Sequence, residues 1–318
     1  MTPSNNYVVG IDGGGSNSRA MALDESGRLL ARASGGPLNF YTTSFSLFRR
    51  NLDELLSSIE TDLPRHTRVY TTIATAALLD GPSPSELEQL GPRKNEEREN
   101  LIGDAVAAAF GATAGGPGIL VIAGTGSVAM AINSEGRQRF AGGFGPLIGG
   151  DPGSAFWLGS RAVLAAQAEG GVLEQIICEH FEVGALAELI PLLYADGFDC
   201  PRLASLAGFL AANEVAQDAE TWTEIELEAG RELSRLVTPL LPWVGLDEVP
   251  VFVFGSVLTR NQRVRESFRK SMSDSQKCTT RIEEPVYEAT TGAALLALRS
   301  AGITINKDLL QRLEESRR

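Results

Sequence analysis

A glycine-rich turn near the start of the chain carries residues that could hold a phosphate group. It follows a short apolar run and consists of Asp12, Gly13, Gly14, Gly15, Ser16 and Asn17. Because residues without side chains let backbone N–H groups approach phosphate oxygens closely, this turn is typical of an anion-binding loop. Asp12 stands at its rim, where a carboxylate can hold Mg²⁺ through the ion's water ligands. The alternative is a glycine hairpin that binds no ligand.

The same pattern recurs about 110 residues later, where an apolar run leads into a second glycine turn, which is followed by another apolar run. The residues of this second turn are Gly124, Thr125, Gly126 and Ser127. A matched pair of strand-turn-strand segments predicts two related domains, each with a turn directed at phosphate. Neither turn fits a Walker A loop or a Rossmann fingerprint, because the segment after the glycines alternates as a strand and does not open a helix.

Three polar side chains beside glycines or helix starts could do further chemistry. Asp104 begins an alanine-rich helix, so it either caps that helix or acts as a general base for a substrate hydroxyl. Asn39 follows two glycines and a proline, which could hold its amide toward a ligand hydroxyl, or it is an ordinary loop residue. Asp151 ends a third glycine-rich run and either caps the helix beginning near Ser154 or binds a sugar hydroxyl.

Strands and helices alternate around these residues, as expected of an α/β protein. Apolar runs predict strands over 8–12, 19–23, 28–33, 68–74, 119–123, 128–132 and 251–254. Helical spacing predicts helices over 44–60, 85–90, 104–111 and 154–168, over most of 172–236, and over 306–318. The polar, proline-containing segment 81–99 is expected to be a surface excursion.

Composition narrows the class of protein. With 318 residues, 43% of them hydrophobic, two domains are expected. A net charge of -12 argues against nucleic acid or an anionic membrane surface as the main partner. Cys178, Cys200 and Cys278 are widely spaced, which predicts free thiols in a reducing compartment and no structural metal. The start lacks signal-peptide features and no apolar run reaches transmembrane length, so a cytoplasmic protein is expected.

Three motifs in order, DGGGS at 12–16, GTGS at 124–127 and GGDPGSAFWLG at 149–159, resemble the BadF/BadG/BcrA/BcrD family. This family belongs to the acetate kinase, sugar kinase, Hsp70 and actin superfamily, and the likeness runs from about Tyr7 to about Arg299. It is greatest to N-acetylglucosamine kinases and bacterial amino-sugar kinases. The resemblance implies two ribonuclease H-like (actin-like ATPase) lobes with a nucleotide cleft between them. Residues 1–112 would form the first lobe, which the helix 306–318 could join, and residues 113–305 the second, with a helical insertion.

The resemblance also implies a site that uses ATP and Mg²⁺. Asp12 to Asn17 and Gly124 to Ser127 would be the two phosphate loops, with Asp12 at the metal and Gly255 and Ser256 at the adenosine. The sugar would contact Asn39, Asp104, Gly145, Asp151 and Ala155, with Asp104 as the base. The chain departs from the family pattern at Ser16-Asn17, where Thr with Lys or Arg is usual, at Pro152, where Glu is common, and at Ser256, where Gly is common.

The function that the resemblance implies is an ATP-dependent kinase for an amino sugar, N-acetylglucosamine or glucosamine, acting on the 6-hydroxyl. Residues around Phe144 and Ala155 would decide whether the N-acetyl group is recognised. The alternatives are a non-catalytic sugar or nucleotide sensor and an ATPase activator of the same superfamily. The activators need cysteines that share an iron–sulfur cluster, an arrangement that the three cysteines do not offer. The family likeness also suggests a homodimer.

Overall fold

The computed structural model describes residues 5–39, 42–76, 78, 82–90, 98–195, 197–274 and 278–317. The strands are β1 Asn6–Gly13, β2 Ser18–Asp24, β3 Leu29–Gly35, β4 Thr67–Thr75, β5 Glu99–Gly103, β6 Gly118–Ala123, β7 Ser127–Ile132, β8 Gln138–Gly142, β9 Glu248–Phe254 and β10 Thr279–Glu283. The helices are α1 Phe45–Asp62, α2 Pro84–Leu90, α3 Asp104–Ala112, α4 Ala155–Glu169, α5 Val172–Phe181, α6 Leu189–Tyr194, α7 Cys200–Ala212, α8 Glu214–Gln217, α9 Glu220–Val237, α10 Leu241–Val244, α11 Ser256–Arg260, α12 Gln262–Ser273, α13 Ala289–Ser300 and α14 Lys307–Arg317.

The chain divides into two compact units, each built on a mixed five-stranded sheet. Unit 1 comprises Met1–Gly116 and Pro285–Arg318, with strand order β3-β2-β1-β4-β5. Unit 2 comprises Pro117–Glu284, with strand order β8-β7-β6-β9-β10. In each sheet the first three strands along the chain pair antiparallel and the last two join in parallel. The predicted α/β class is confirmed, and the repeated strand-turn-strand segments are β1–β2 and β6–β7.

The predicted lobe boundaries are wrong at the C-terminal end. The sequence assigns 113–305 to the second lobe, whereas residues from Pro285 onward belong to unit 1. The reason is the helix α13, which packs on β1 and α3 and buries every residue from Thr290 to Leu298. A helix that is apolar on all sides does not indicate in its sequence which sheet it covers. The helix α14 follows it into unit 1, where Leu309 and Leu313 are buried with Val8.

Helices cover both faces of the unit 1 sheet. On one face α1 buries Phe48, Leu52, Leu55 and Ile59 against the strands. Its spacing of apolar residues matches one helical stripe, and Ser44 caps its first turn by accepting a hydrogen bond from the Leu47 amide. The opposite face is covered by α13 and α14. Together these layers hold the sheet edge that carries the candidate site.

In unit 2 the core lies between the sheet and a helical layer. Residues of α4, α5, α7, α9 and α12 share one buried apolar cluster with β6, β7 and β9. Trp222 of α9 is fully buried there, as expected for a packing residue.

The excursion predicted over 81–99 contains α2, and its residues 81 and 91–97 lie outside the described part of the chain. Among the described residues, no helix is both long and apolar enough to cross a bilayer.

The contact of α13 with its neighbours has no room for side chains at two positions. A Cβ atom added at Gly292 would overlap the backbone oxygen of Ala107 in α3. One added at Gly10 in β1 would overlap the backbone nitrogen of Ala294. Since backbone atoms cannot move aside as a flexible side chain can, these glycines set how closely α13 approaches the sheet.

We therefore expect Gly292→Ala to lower the free energy of unfolding by at least about 2 kcal/mol, because overpacking a backbone contact costs more than the gain in helix propensity. The matched control is Gly208→Ala in the interior of α7, where nothing lies within 4 Å of an added Cβ. That change should be neutral or stabilise by up to about 1 kcal/mol. Urea denaturation followed by circular dichroism measures both, and equal midpoints for the two variants would contradict the packing account.

Candidate functional site

The first glycine turn joins β1 to β2 at the edge of the unit 1 sheet. It is closed by a hydrogen bond of 2.9 Å from the Gly14 amide to the Asn17 carbonyl oxygen. The tip residues Gly15, Ser16 and Asn17 are exposed, so their backbone is open to solvent. The predicted strand, tight turn and strand are thus confirmed. A turn of this form presents amides and a hydroxyl without a bulky side chain in front of them.

Three parallel strands end at the same level beside this turn. Gly13 pairs with Thr75 at the end of β4, and Thr75 pairs with Gly103 at the end of β5. Asp12 stands one residue before the end of β1, and Asp104 one residue after the end of β5. Parallel strands in register therefore place these two carboxylates at one edge of the sheet, although 92 positions separate them in the sequence.

Asp104 is the first residue of α3 and not its capping residue. The cap is Gly103, which offers no side chain, while Asp104 Oδ1 accepts a hydrogen bond of 2.7 Å from the adjacent Ala105 amide. The alternative prediction, that Asp104 is simply the N-cap of α3, is therefore wrong, because Gly103 occupies the N-cap position. A carboxylate in the first turn is still favoured by the helix dipole.

Burial raises the pKa of both carboxyls. For Asp104 desolvation is the largest cause, the Ala105 amide opposes it, and the negative charge of Asp12 adds to it. For Asp12 desolvation again comes first, Arg19 opposes it, and Glu288 adds to it. The charge of Asp12 therefore acts on Asp104, and the charge of Glu288 acts on Asp12. A cation bound beside either one would favour its ionised form.

Asn39 lies next to the first turn. The segment that carries it is held by a hydrogen bond of 3.1 Å from the Leu38 amide to the Gly14 oxygen and one of 2.6 Å from Thr75 Oγ1 to the Leu38 oxygen. The side chain of Asn39 accepts a hydrogen bond from the Thr42 amide at 3.0 Å. A Cβ added at Gly15 would lie 3.9 Å from Asn39 Nδ2. The predicted amide and the predicted phosphate turn are thus brought together within unit 1.

The second glycine turn lies in unit 2 and is tied to the start of α4. Ala155 donates its amide to the Gly124 oxygen at 2.8 Å, and Phe156 donates to the Thr125 oxygen at 3.2 Å. Ser127 Oγ donates to the Pro152 oxygen at 2.9 Å. The predicted residues Gly124 to Ser127 and Ala155 therefore form one local unit, with Thr125 exposed at its tip.

Asp151 is buried against this second turn, at 6% exposure. A Cβ added at Gly126 would lie 2.5 Å from its Oδ2 atom. Burial raises its pKa, opposed by a hydrogen bond from the Gly145 amide. Its φ of 42° is left-handed, a conformation that non-glycine residues adopt at a cost. Because Ser154 caps α4 by accepting from the Trp157 amide, the Asp151 side chain is not the cap.

A cavity of about 520 Å³ in unit 2 joins the second turn to the turn after β9. Three predicted residues line it: Thr125, Ala155 and Ser256. The sequence does not predict its other walls, which come from α7, from α11 with the residue after it, and from α4. Those walls are lined by Pro201, Ala204, Ser205, Ala207, Gly208, Ala211, Ala212, Val257, Arg260 and Asn261, together with Leu158 of α4. The repeated small residues of α7 were a signal for this space, but small residues also indicate close helix packing.

Among the described residues, no three His, Cys, Asp or Glu side chains are arranged to enclose a metal ion. Asp12 is a half-buried carboxylate at the base of the first turn, and its negative charge raises the pKa of Asp104. Mg²⁺ is commonly held by one or two carboxylates, with water and substrate phosphates completing its shell. The donor set around Asp12 fits that mode of binding and does not fit a site made of protein ligands alone.

Two units with the same mixed sheet order, each with a glycine turn between its first two strands, define a ribonuclease H-like fold of the actin-like ATPase type. A family model, the BadF/BadG/BcrA/BcrD ATPase family, matches residues 9–297. The chain belongs to this family, as its motifs predict.

Three relatives illustrate the likeness. An N-acetylmuramic acid/N-acetylglucosamine kinase from Clostridium acetobutylicum is 28% identical over 281 residues, covering 84% of this chain and 90% of its own. An N-acetyl-D-glucosamine kinase from Dictyostelium discoideum is 26% identical, covering 93% and 99%. A candidate N-acetylglucosamine kinase from Chromobacterium violaceum superposes with a TM-score of 0.66 at 24% identity, covering 92% and 98%, and this likeness shows the fold.

The raised pKa of Asp104 has a measurable consequence for stability. A folded carboxyl with a raised pKa binds protons more tightly than the unfolded chain does, so its ionised form destabilises the fold above that pKa. Asp104→Asn should therefore raise the urea midpoint at pH 7, and the gain should shrink as the pH falls through the folded pKa toward the ordinary value for Asp. The exposed Asp53→Asn in α1 is the control and should change little at either pH. A gain that grows on acidification would contradict the burial account.

Proposed function

We propose that the protein is an ATP-dependent amino-sugar kinase that transfers the γ-phosphoryl group to the 6-hydroxyl of N-acetylglucosamine or glucosamine. Membership of an ATPase family supports the use of ATP. The two curated relatives, named as kinases of N-acetylglucosamine and N-acetylmuramic acid, support an amino sugar as the acceptor. This chain matches most of the length of both relatives, so the likeness is not confined to one motif.

The observation that carries the proposal is the pair of carboxylates at one sheet edge beside an exposed glycine turn. In the proposed mechanism Asp104 accepts the proton of the sugar hydroxyl as its oxygen attacks the γ-phosphorus. The bond between that phosphorus and the bridging oxygen breaks, and ADP leaves. A half-buried carboxylate with a raised pKa is a stronger base than an exposed one. The Asp104 side chain is also not needed as a helix cap, because the capping residue of α3 is Gly103.

The remaining unit 1 residues have supporting roles in this proposal. Backbone amides of the turn from Gly13 to Asn17 hold phosphate oxygens, and Asn39 donates to a sugar hydroxyl. Asp12 would hold Mg²⁺ through the ion's water ligands, and the ion would neutralise charge on the phosphates. The negative field of Asp12, Asp104 and Glu288 favours such a cation electrostatically.

In unit 2 we propose that the cavity between α4, α7 and α11 takes the adenosine. Its walls are mostly apolar, as expected for a base and ribose, and Thr125 and Ser256 provide hydroxyl groups at one end, with Gly255 directly before Ser256 in the chain. Gly145, Asp151 and Ala155 hold the sugar beside the second turn. Phe144, in the same glycine-rich run and 63% exposed, has an uncovered ring that could contact an N-acetyl group.

A non-catalytic sugar or nucleotide sensor is the second candidate. It is favoured by the tip of the first turn, where Ser16 and Asn17 provide no cation for phosphate. An activator ATPase is disfavoured, because in the described part of the chain Cys178, Cys200 and Cys278 are separate free thiols that belong to no metal-binding group.

We also propose a homodimer, which light scattering of the purified protein would measure.

An ADP-release assay with Mg-ATP across glucosamine, N-acetylglucosamine, N-acetylmuramic acid and glucose tests the proposal. We expect release that depends on an amino sugar, with the product phosphorylated at carbon 6. Asp104→Asn should lower kcat by about 10²-fold or more, because the base is lost, and leave ATP binding within about threefold. Asp53→Asn serves as control. If the wild type binds ATP or sugar without turnover, the sensor is supported. If Asp104→Asn keeps full activity, Asp104 is not the general base.

Filling the cavity tests the proposed adenosine site. Gly208 lines it, and nothing lies within 4 Å of a Cβ added there, so a large side chain enters open space. We expect Gly208→Phe to raise KM for ATP about tenfold or more while KM for the sugar changes little, because part of the space for the base is occupied. Gly208→Ala is the matched control. If the Phe variant keeps the wild-type KM for ATP, the base binds elsewhere.

A further inference from the structure

A carboxylate buried in the helical layer of unit 2 lies outside all the predicted motifs. Glu226 of α9 is 1% exposed, and its two oxygens accept hydrogen bonds from three side chains. Asn261 Nδ2 donates to Oε1 at 2.7 Å, Gln217 Nε2 donates to Oε1 at 3.4 Å, and Arg263 Nη1 donates to Oε2 at 3.0 Å. The charge is therefore balanced by one guanidinium and two amides.

All three partners donate, so the position needs a side chain whose two oxygens both accept, as the carboxylate of Glu226 does. Arg263 also donates to Gln217, through Nη1 to Oε1 at 2.7 Å and through Nη2 to the backbone oxygen at 2.8 Å. The network joins α8, α9 and the turn between α11 and α12. A buried ion pair of this kind adds little net stability compared with apolar packing, but it fixes geometry because each partner has one favourable arrangement.

The network ends at a wall of the cavity. Asn261 is the residue between α11 and α12, caps α12 by accepting from the Val264 amide at 3.1 Å, and lines the cavity. The helix α11 has five residues, too few to be stable without support at its ends. Its other end is fixed at Gly255, where an added Cβ would overlap the backbone oxygen of Ala123 in β6.

We propose that Glu226 is a positioning residue for the nucleotide: through Asn261 it holds α11, and with it Ser256, Val257 and Arg260, in the place that forms the adenosine wall. Glu226 does not itself line the cavity, so its effect is indirect. The inference rests on the proposed function in assigning this cavity to the nucleotide. The inference also goes beyond the proposed function, because it assigns an effect on nucleotide affinity to a buried carboxylate on α9.

The test is Glu226→Gln, which keeps the shape but sets an amide NH₂ group against donors. We expect KM for ATP and the dissociation constant of a fluorescent ATP analogue to rise about tenfold, because α11 loses its tether. kcat and KM for the sugar should stay within about twofold, a split that general destabilisation would not produce. The control is Glu228→Gln on the same helix, which breaks ion pairs with Arg231 and Arg235 away from the cavity and should change none of these.

A second route keeps the idea testable if the Gln variant does not fold. Arg263→Gln removes the guanidinium from the solvent side and should also raise the dissociation constant of the analogue. The double variant Asn261→Ala/Glu226→Gln should bind the analogue no more weakly than the weaker-binding of the two single variants. The reason is that both changes remove the same hydrogen-bonded link between Glu226 and α11. Wild-type affinity in folded Glu226→Gln or Arg263→Gln overturns the inference, as do independent, additive losses. Analogue binding by the wild type without sugar-dependent turnover overturns the proposed kinase and leaves this inference standing.

Discussion

The common level at which β1, β4 and β5 end is the constraint on which the unit 1 site depends. Gly13, Thr75 and Gly103 are paired across three strands, so whatever follows or precedes them meets at one edge. Ligand sites of open α/β sheets form outside the carboxyl ends of parallel strands for this reason. A shift of one residue in the β4–β5 pairing would move Asp104 along the strand direction and separate it from Asp12.

The two units use the same sheet for different chemistry. In unit 1 the strand ends carry acids, Asp12 and Asp104. In unit 2 the strands β6 and β9, which correspond to β1 and β4, run into Gly124 and Gly255, which offer backbone and space. The acid beside the second turn, Asp151, comes from a loop and reaches that turn with a left-handed backbone. A duplicated topology therefore fixes where a site can form, while the residues at the strand ends decide what it binds.

The sequence predicts the parts of the fold that have a local signature. Alternating apolar runs around glycines predict both hairpins, and Ser154 marks the start of α4 correctly. The sequence does not predict β5, because only Leu101 and Ile102 are apolar there and a polar stretch precedes them. It assigns α13 to the wrong lobe because that helix is apolar on all sides. The proximity of Asp12 and Asp104, and the α7 wall of the cavity, depend on register and helix packing between distant segments, which local patterns do not encode.

Buried carboxylates in this protein are of two kinds, and the difference separates scaffold from candidate site. Glu226 is surrounded by three donors that match its two oxygens, so its charge is compensated. Asp12 and Asp104 are half-buried with acidic neighbours and fewer donors, and desolvation raises their pKa values. A fold gains nothing by keeping two such acids at one edge, since apolar or amide residues there would be more stable. Their placement makes sense if a cation and a hydroxyl group complete the site, because these supply the charge and the proton that the protein leaves out.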